Sequence, residues 1–212
     1  KFEFAVGEHY HLYNRGVDKR DIFLEDSDWK RFMSLLFLCN SEKPIIVKEI
    51  NTNTQMWDFD RGETLVDIGI YCLIQNHFHI LIYEKIEGGI SKFMQKLLTA
   101  YTMYFNKKRA RTGSLFESTF RAKHVDTEEY MTHLFGYIHL NPIKIIEPLW
   151  KEEGIKNLPQ THRYLKDYWY SSYLDYIGIK RLEVKIINKE IMPADFANHT
   201  QIDQLINDWL MA

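Results

Sequence analysis

The alternation of apolar and polar positions opens with a short strand, His9 to Asn14 (HYHLYN), which Asn14-Arg15-Gly16 closes with turn residues. A helix is predicted next. Trp29, Phe32, Met33, Leu36 and Phe37 recur at helical spacing up to Asn40, and Asp26 or Ser27 is placed to cap it. Ile45 to Ile50 reads as a second strand and Val66 to Ile74 as a third, whose near-continuous apolar run predicts burial on both faces. Gln75-Asn76 predicts a tight turn into a fourth strand, His77 to Tyr83. There the period of two sets Phe78, Ile80 and Ile82 on one face and His77, His79, Leu81 and Tyr83 on the other. Ile90, Phe93, Met94, Leu97, Leu98, Tyr101 and Phe105 mark a second amphipathic helix that ends in the basic cluster Lys107-Lys108-Arg109-Ala110-Arg111. A loop with short extended pieces, GSLFESTFRAKHV, leads to a third helix. It is expected to start at Asp126, which has capping-box spacing with Glu129, and to stop near Asn141 before Pro142. The order β-α-β-β-…-α predicts an α+β fold: a ferredoxin-like antiparallel sheet with helices packed on one face.

From about Leu149 the pattern loosens. WYSSYLDYIG (Trp169 to Gly178) is expected to pack back on the domain, and Thr200 to Leu210 to form a last helix. Residues 1–150 are thus expected to form the main domain and residues 151–212 a C-terminal extension packed on it. At 212 residues with 45% hydrophobic, 15% aromatic and 26% charged positions, the composition excludes a disordered, collagen-like or coiled-coil chain. Cys39 and Cys72 both sit in apolar stretches, which predicts buried thiols in a reducing compartment. No apolar run approaches the ~18 residues that span a bilayer, so the expected location is cytoplasmic, with no membrane partner.

The net charge of −2 argues at first against a polyanion ligand. Its distribution reverses that inference. From Ser91 to His124 there are eight basic residues (Lys92, Lys96, Lys107, Lys108, Arg109, Arg111, Arg121 and Lys123) against Glu117 alone, a local +7 that leaves −9 for the rest. Interleaved with Phe105, Phe116 and Phe120, such a stretch suits a phosphate backbone with unstacked bases, although a lysine run by itself more often marks a solvated helix face.

His77-Phe78-His79 places two imidazoles about 6 to 7 Å apart along one strand face, a spacing that suits two ligands of one metal ion but also ordinary packing. His9-Tyr10-His11 has the same spacing and acts as a decoy. Tyr137 and Asn141, four residues apart, share a helical face. Asn141 could complete a two-histidine, one-oxygen metal set and Tyr137 could be a nucleophile. Against that stands a plainer reading, in which Tyr137 is one of 13 tyrosines packing on the sheet and Asn141 merely precedes a helix-ending proline.

Four stretches, in order, resemble the single-tyrosine transposases that carry a histidine-hydrophobic-histidine motif, the IS200-like enzymes and in particular the branch associated with repetitive extragenic palindromes. They are YHLYNRGVDKRDIF (Tyr10 to Phe23), IYCLIQNHFHILI (Ile70 to Ile82), GSLFESTFRAKHVDTEEY (Gly113 to Tyr130) and YIHLNPIK (Tyr137 to Lys144), with WYSSYLDYIG similar to the family's closing segment. The resemblance implies a nuclease domain that cuts and rejoins single-stranded, hairpin or palindromic DNA through a 5′-phosphotyrosine. It implies His77, His79 and Asn141 for a divalent metal, Mg²⁺ or Mn²⁺, and Tyr137 as nucleophile. It also places Asn14 and Arg15 near DNA, to which Lys107, Lys108, Arg109, Arg111, Arg121 and Lys123 would add the basic surface. His11 matches a family position and His9 does not. A monomer or a homodimer is compatible with the resemblance.

Two positions depart from the family pattern. Thr119 stands where relatives usually have Arg, and Gln75 replaces a common Pro. The alternatives are a domesticated protein that holds hairpin DNA without cutting it, and a small-molecule metallohydrolase, which would need a carboxylate partner set that the motif lacks.

Overall fold

The computed structural model describes residues 3–44, 54–197 and 199–211. Strand β1 (His9–Arg15) is followed by α1 (Asp26–Leu38), the hairpin β2 (Val66–Ile74) and β3 (His77–Glu84), α2 (Gly89–Lys108), β4 (Arg121–Val125) and α3 (Glu128–His139). The chain then runs through short helices α4 (Ile143–Ile146), α5 (Trp150–Glu153), α6 (Leu158–Asp167) and α7 (Tyr173–Tyr176) to α8 (His199–Met211). The strand expected over Ile45 to Ile50 lies outside the described residues.

All strand pairs are antiparallel and the order across the sheet is β2-β3-β1-β4. With one helix between β1 and β2 and another between β3 and β4, this is the ferredoxin-like topology that the pattern predicts. The two-residue turn Gln75-Asn76 sets the hairpin register, with Ile74 opposite His77. Its backbone also ties down the β1–α1 connection: the Gln75 carbonyl accepts from Ile22 N and Phe23 N, and the Asn76 carbonyl from Gly16 N.

On one face Tyr10, Leu12, Phe78, Ile80 and Ile82 pack beneath Phe32 and Met33 of α1 and Phe93, Leu97 and Tyr101 of α2. This is the expected helical layer. The burial of β2 on both faces, expected from its apolar run, comes from a second layer that the expected helices on one face do not include: Ile70, Cys72, Ile74 and Leu81 pack against Leu134, Phe135 and Ile138 of α3, Tyr173 and Tyr176 of α7, and Ile202 and Ile206 of α8. Strand β2 serves both cores by alternation, Tyr71 and Leu73 facing the first and Ile70, Cys72 and Ile74 the second, and a register shift between Ile68 and Ile70 puts those two on opposite faces. Cys39 and Cys72 are buried and unpaired, as expected.

The closing segment does pack back. Leu73 N donates to the Tyr170 carbonyl and Ser172 N to the Tyr71 carbonyl, at 3.0 and 2.9 Å, so residues 170–172 run along the β2 edge. A buried ion pair locks it there: Arg181 contacts both Asp175 carboxylate oxygens, at 2.8 and 2.6 Å, and donates to the Trp169 and Ser171 carbonyls.

Helix starts differ from expectation by one or two residues. Glu25, not Asp26 or Ser27, caps α1 in a reciprocal box with Asp28. Thr127 caps α3, its hydroxyl accepting from Tyr130 N at 3.1 Å, because the extended backbone extends one residue past Asp126. Strand β4 emerges from what reads as loop: RAKHV carries no apolar alternation, and pairing with β1 alone makes it an edge strand. Among the described residues, no helix is long and apolar enough to cross a membrane.

Candidate functional site

Strand parity builds the site. Across the sheet Tyr13 lies opposite His79 and Arg15 opposite His77 on β3, while Tyr13 lies opposite Arg121 on β4. These side chains therefore leave the sheet on the same face as the second core, beyond the part that core covers. Tyr137 stands above them from α3. Together with Asn76 and Glu117 they line a cleft of ≈330 Å³. A larger groove of ≈550 Å³ beside α2 is lined by Ser, Thr, Gln, Met, Leu and Phe and holds no titratable group. The chemistry therefore gathers in the smaller cleft.

The imidazoles of His77 and His79 are 5.0 Å apart, centre to centre. The His79 ring lies 5.6 Å from the Tyr137 ring, with their planes nearly perpendicular. All three belong to one chain. His77 Nδ1 is 2.6 Å from Asn76 Oδ1, a carbonyl oxygen that can only accept, so Nδ1 carries the proton and Nε2 the lone pair. His79 Nδ1 meets His11 Nε2 at 2.9 Å, with both rings buried. The decoy pair is thereby resolved: His11 braces His79, while His9 bonds the Ile191 carbonyl at 2.9 Å.

Burial, with smaller contributions from Lys144 and Arg15, lowers the His77 pKa to about 4. Burial and Lys123 lower that of His11 to about 4. His79 falls well below the ordinary imidazole value, through burial first and then His11, His77, Lys144 and Lys151. All three are neutral at pH 7, the state in which an imidazole ligates a metal. Among the described residues no group of three or more His, Cys, Asp or Glu side chains could hold a metal. His77 and His79 thus offer two neutral imidazole donors, chemistry that fits a divalent cation.

Asn141 does not line this cleft. It lies just past the end of α3, buried, with its Nδ2 donating to the Tyr137 carbonyl at 2.8 Å. The Tyr137 phenol has its pKa raised by burial and by Tyr13 and Tyr130, and Asn141 opposes that rise by hydrogen bonding. The Lys151 ammonium sits 4.5 Å from the Tyr137 ring centre.

Of the residues expected at DNA, Asn14, Arg15 and Arg121 line the cleft and Lys107, Lys108, Arg109 and Arg111 do not. Asn14 spends its amide on the Ser118 and Thr119 carbonyls, and Arg15 pairs with both Glu117 carboxylate oxygens. Lys108 and Arg109 both bind Glu25 and the fully buried Asp28, and Arg111 binds Asn106 and the Ser114 carbonyl. Lys123 lies over the Tyr130 ring at 4.3 Å. The local +7 is therefore not one basic surface: two of its eight basic residues, Lys108 and Arg109, are paired with carboxylates within the fold, and of the eight only Arg121 lines the cleft. Sequence reading passed over Tyr13, Lys144 and Lys151. Tyr13 shares parity with His11, and both lysines follow Tyr137 closely in the chain.

A ferredoxin-like sheet that carries a histidine pair on a central strand, faced by a tyrosine on the following helix, defines a class of composite polar site built between sheet and helix. The chain matches the family described as "Transposase IS200 like" over residues 27–141. It belongs to the IS200-like transposase family. A comparison with curated proteins gives no match. Among solved structures, it resembles one described as "Structure of the REP associates tyrosine transposase bound to a REP hairpin", at 12% identity and a TM-score of 0.49, over 86% of this chain and 87% of that one.

Proposed function

We propose that the protein is a divalent-metal-dependent enzyme that nicks and rejoins single-stranded DNA at hairpins, with Tyr137 as nucleophile. One observation carries the reading: within one chain the Tyr137 ring lies 5.6 Å from the imidazole of His79, which with His77 offers two neutral nitrogen donors. His77 and His79 would hold Mg²⁺ or Mn²⁺, and the bound cation would supply charge neutralisation at the scissile phosphate. Asn141 belongs to the proposal as support for the tyrosine, through its contact with the Tyr137 backbone and phenol.

In the proposed step the Tyr137 oxygen bonds to phosphorus, its proton passes to solvent, and the phosphorus–O3′ bond breaks. The electron pair leaves on O3′, which is protonated to the free hydroxyl, and the 5′-phosphate stays on the enzyme. The covalent link conserves the phosphodiester energy, so reversal or joining to another strand needs no nucleotide cofactor. The phenol is protonated at rest, and its raised pKa means that nucleophile activation is tied to substrate arrival. Arg15, Arg121, Lys144 and Lys151 surround this cleft and would meet phosphates. Lys123 would extend that surface, with Lys107, Lys108, Arg109 and Arg111 more remote. The motif resemblance to the branch associated with repetitive extragenic palindromes supports hairpin DNA as the substrate class, and the joint placement of His79 and Tyr137 supports a site complete within one monomer.

The test is a labelled single-stranded hairpin incubated with Mn²⁺. Wild type should give a covalent protein–DNA adduct and Tyr137→Phe none. If both proteins form the adduct, or neither does, the assignment of Tyr137 is wrong. Tight hairpin binding without cleavage in any divalent metal would instead favour the non-cleaving binder.

A further inference from the structure

Tyr137 is a wall shared by two cavities. One is the histidine cleft. The other, ≈520 Å³, opens between α3, α5 and α8 and is lined by Tyr137, Trp150, Trp209 and Ile155, with Lys151 and Glu152 as its charged members. Its size is that of a small-molecule site. The Lys151 ammonium stands 4.5 Å from the Tyr137 ring centre and 5.4 Å from that of Trp150. Trp209 is set in place from two sides. The His133 ring meets it at 4.7 Å, and Gly136 brings α8 so close that a Cβ there would collide with the indole.

We propose that this second cavity holds an unpaired nucleobase of the strand whose phosphate reaches Tyr137. The inference rests on the reading of Tyr137 as nucleophile. A strand held at that side chain must continue away from it. On the histidine side the walls are mostly polar and charged; on this side they are mostly aromatic faces, with one lysine and one glutamate at the edge. Aromatic rings suit the face of any base, and an ammonium among them suits the attached phosphate. The lining has few polar groups to distinguish one base from another, so recognition here is by stacking and the site is base-tolerant.

The test uses the Tyr137→Phe protein, which keeps the ring wall and cannot form the covalent link. Tryptophan fluorescence is followed during titration with an oligothymidylate of about twelve nucleotides and with an abasic strand of the same length. The oligothymidylate should quench the emission and bind roughly five- to a hundredfold more tightly than the abasic strand. Adding Trp209→Leu should abolish most of that preference, with the circular dichroism unchanged. Lys151→Glu, at an exposed side chain, should weaken oligothymidylate binding at least about fivefold without touching the packing. Equal affinity for the two strands overturns the subsite, as does a base preference that survives both substitutions. The adduct assay on the Tyr137-containing protein separates the two claims. Adduct without base preference removes the subsite alone; base preference without adduct upholds the subsite and removes the nuclease reading.

Discussion

If His77 and His79 hold a metal as proposed, replacing His11 by leucine should weaken metal binding without touching either of them. The perturbation removes one hydrogen bond, His11 Nε2 to His79 Nδ1 at 2.9 Å, between two buried rings. His77 shows what such a bond does: Asn76 Oδ1 accepts from its Nδ1 and leaves Nε2 as the lone-pair nitrogen. For His79 to present Nε2 in the same way, His11 must accept from the Nδ1–H, which requires His11 to be protonated on its own Nδ1. Outer partners of this kind are worth about 10- to 100-fold in metal affinity, or about 1.4 to 2.7 kcal/mol. Two measurements check it on the metal-free and metal-titrated protein. Long-range nitrogen–proton correlation spectra of the imidazoles should show His79 protonated at Nδ1 in the wild type and as a tautomer mixture in His11→Leu. Calorimetric titration with Mn²⁺ should show the stated loss of affinity, with partial recovery in His11→Gln, whose amide oxygen can accept the same bond. A wild-type His79 protonated at Nε2, or a leucine variant that binds Mn²⁺ as tightly as wild type, would refute the reasoning.

Three further outcomes are expected. Arg181→Ala should cost about 3 to 5 kcal/mol in urea unfolding at pH 7, since it leaves the buried Asp175 carboxylate uncompensated. Burial already raises the Asp175 pKa and Arg181 opposes that rise, so in the variant the carboxyl protonates more readily and the loss should shrink toward pH 4; a loss independent of pH would contradict this account. Between pH 7.5 and 5 the wild type should lose stability, because His11 and His77 hold pKa values of about 4 when folded against 6.5 when unfolded. Their depressed values mean that the contribution is full above pH 6.5 and fades as pH falls toward 4, by about 2 kcal/mol each at pH 5; an unchanged urea midpoint over that range would show that these rings are not held neutral. Gly136→Ala should drive α8 off α3 and lower the melting temperature by several degrees, and a melting temperature equal to wild type would mean that Trp209 does not press on position 136.

The ferredoxin-like frame was legible because each of its helices and its central hairpin writes its own period. Phe78, Ile80 and Ile82 alternate with His77, His79 and Leu81, and the alternation survives folding unchanged. Strand β4 was illegible for the complementary reason. As an edge it needs only one neighbour and no buried face, so Arg121, Lys123 and His124 leave no apolar mark. The Tyr137 and histidine pairing was legible as spacing and motif order, but the brace from His11 was not. It depends on a register between strands 68 residues apart in the chain, which no local pattern encodes. Charge misled for a similar reason. Lys108 and Arg109 look free in sequence and find Asp28 only when α1 and α2 are packed side by side.

The hairpin tip at Gln75-Asn76 is fastened to the β1–α1 connection, whereas Tyr137 is carried by a helix seated on the C-terminal segment. The cleft therefore opens between sheet and helix beside a core that shares strands β2 and β3 with the first helical layer. A perturbation that loosens the Arg181 clasp or the α8 contact should free α3 and Tyr137 first, leaving the β1–β3 hydrogen bonds protected against hydrogen exchange. Tyr137 would then leave the cleft while His77 and His79 stayed in place on the sheet, so the two sides of the cleft would be lost at different points of unfolding.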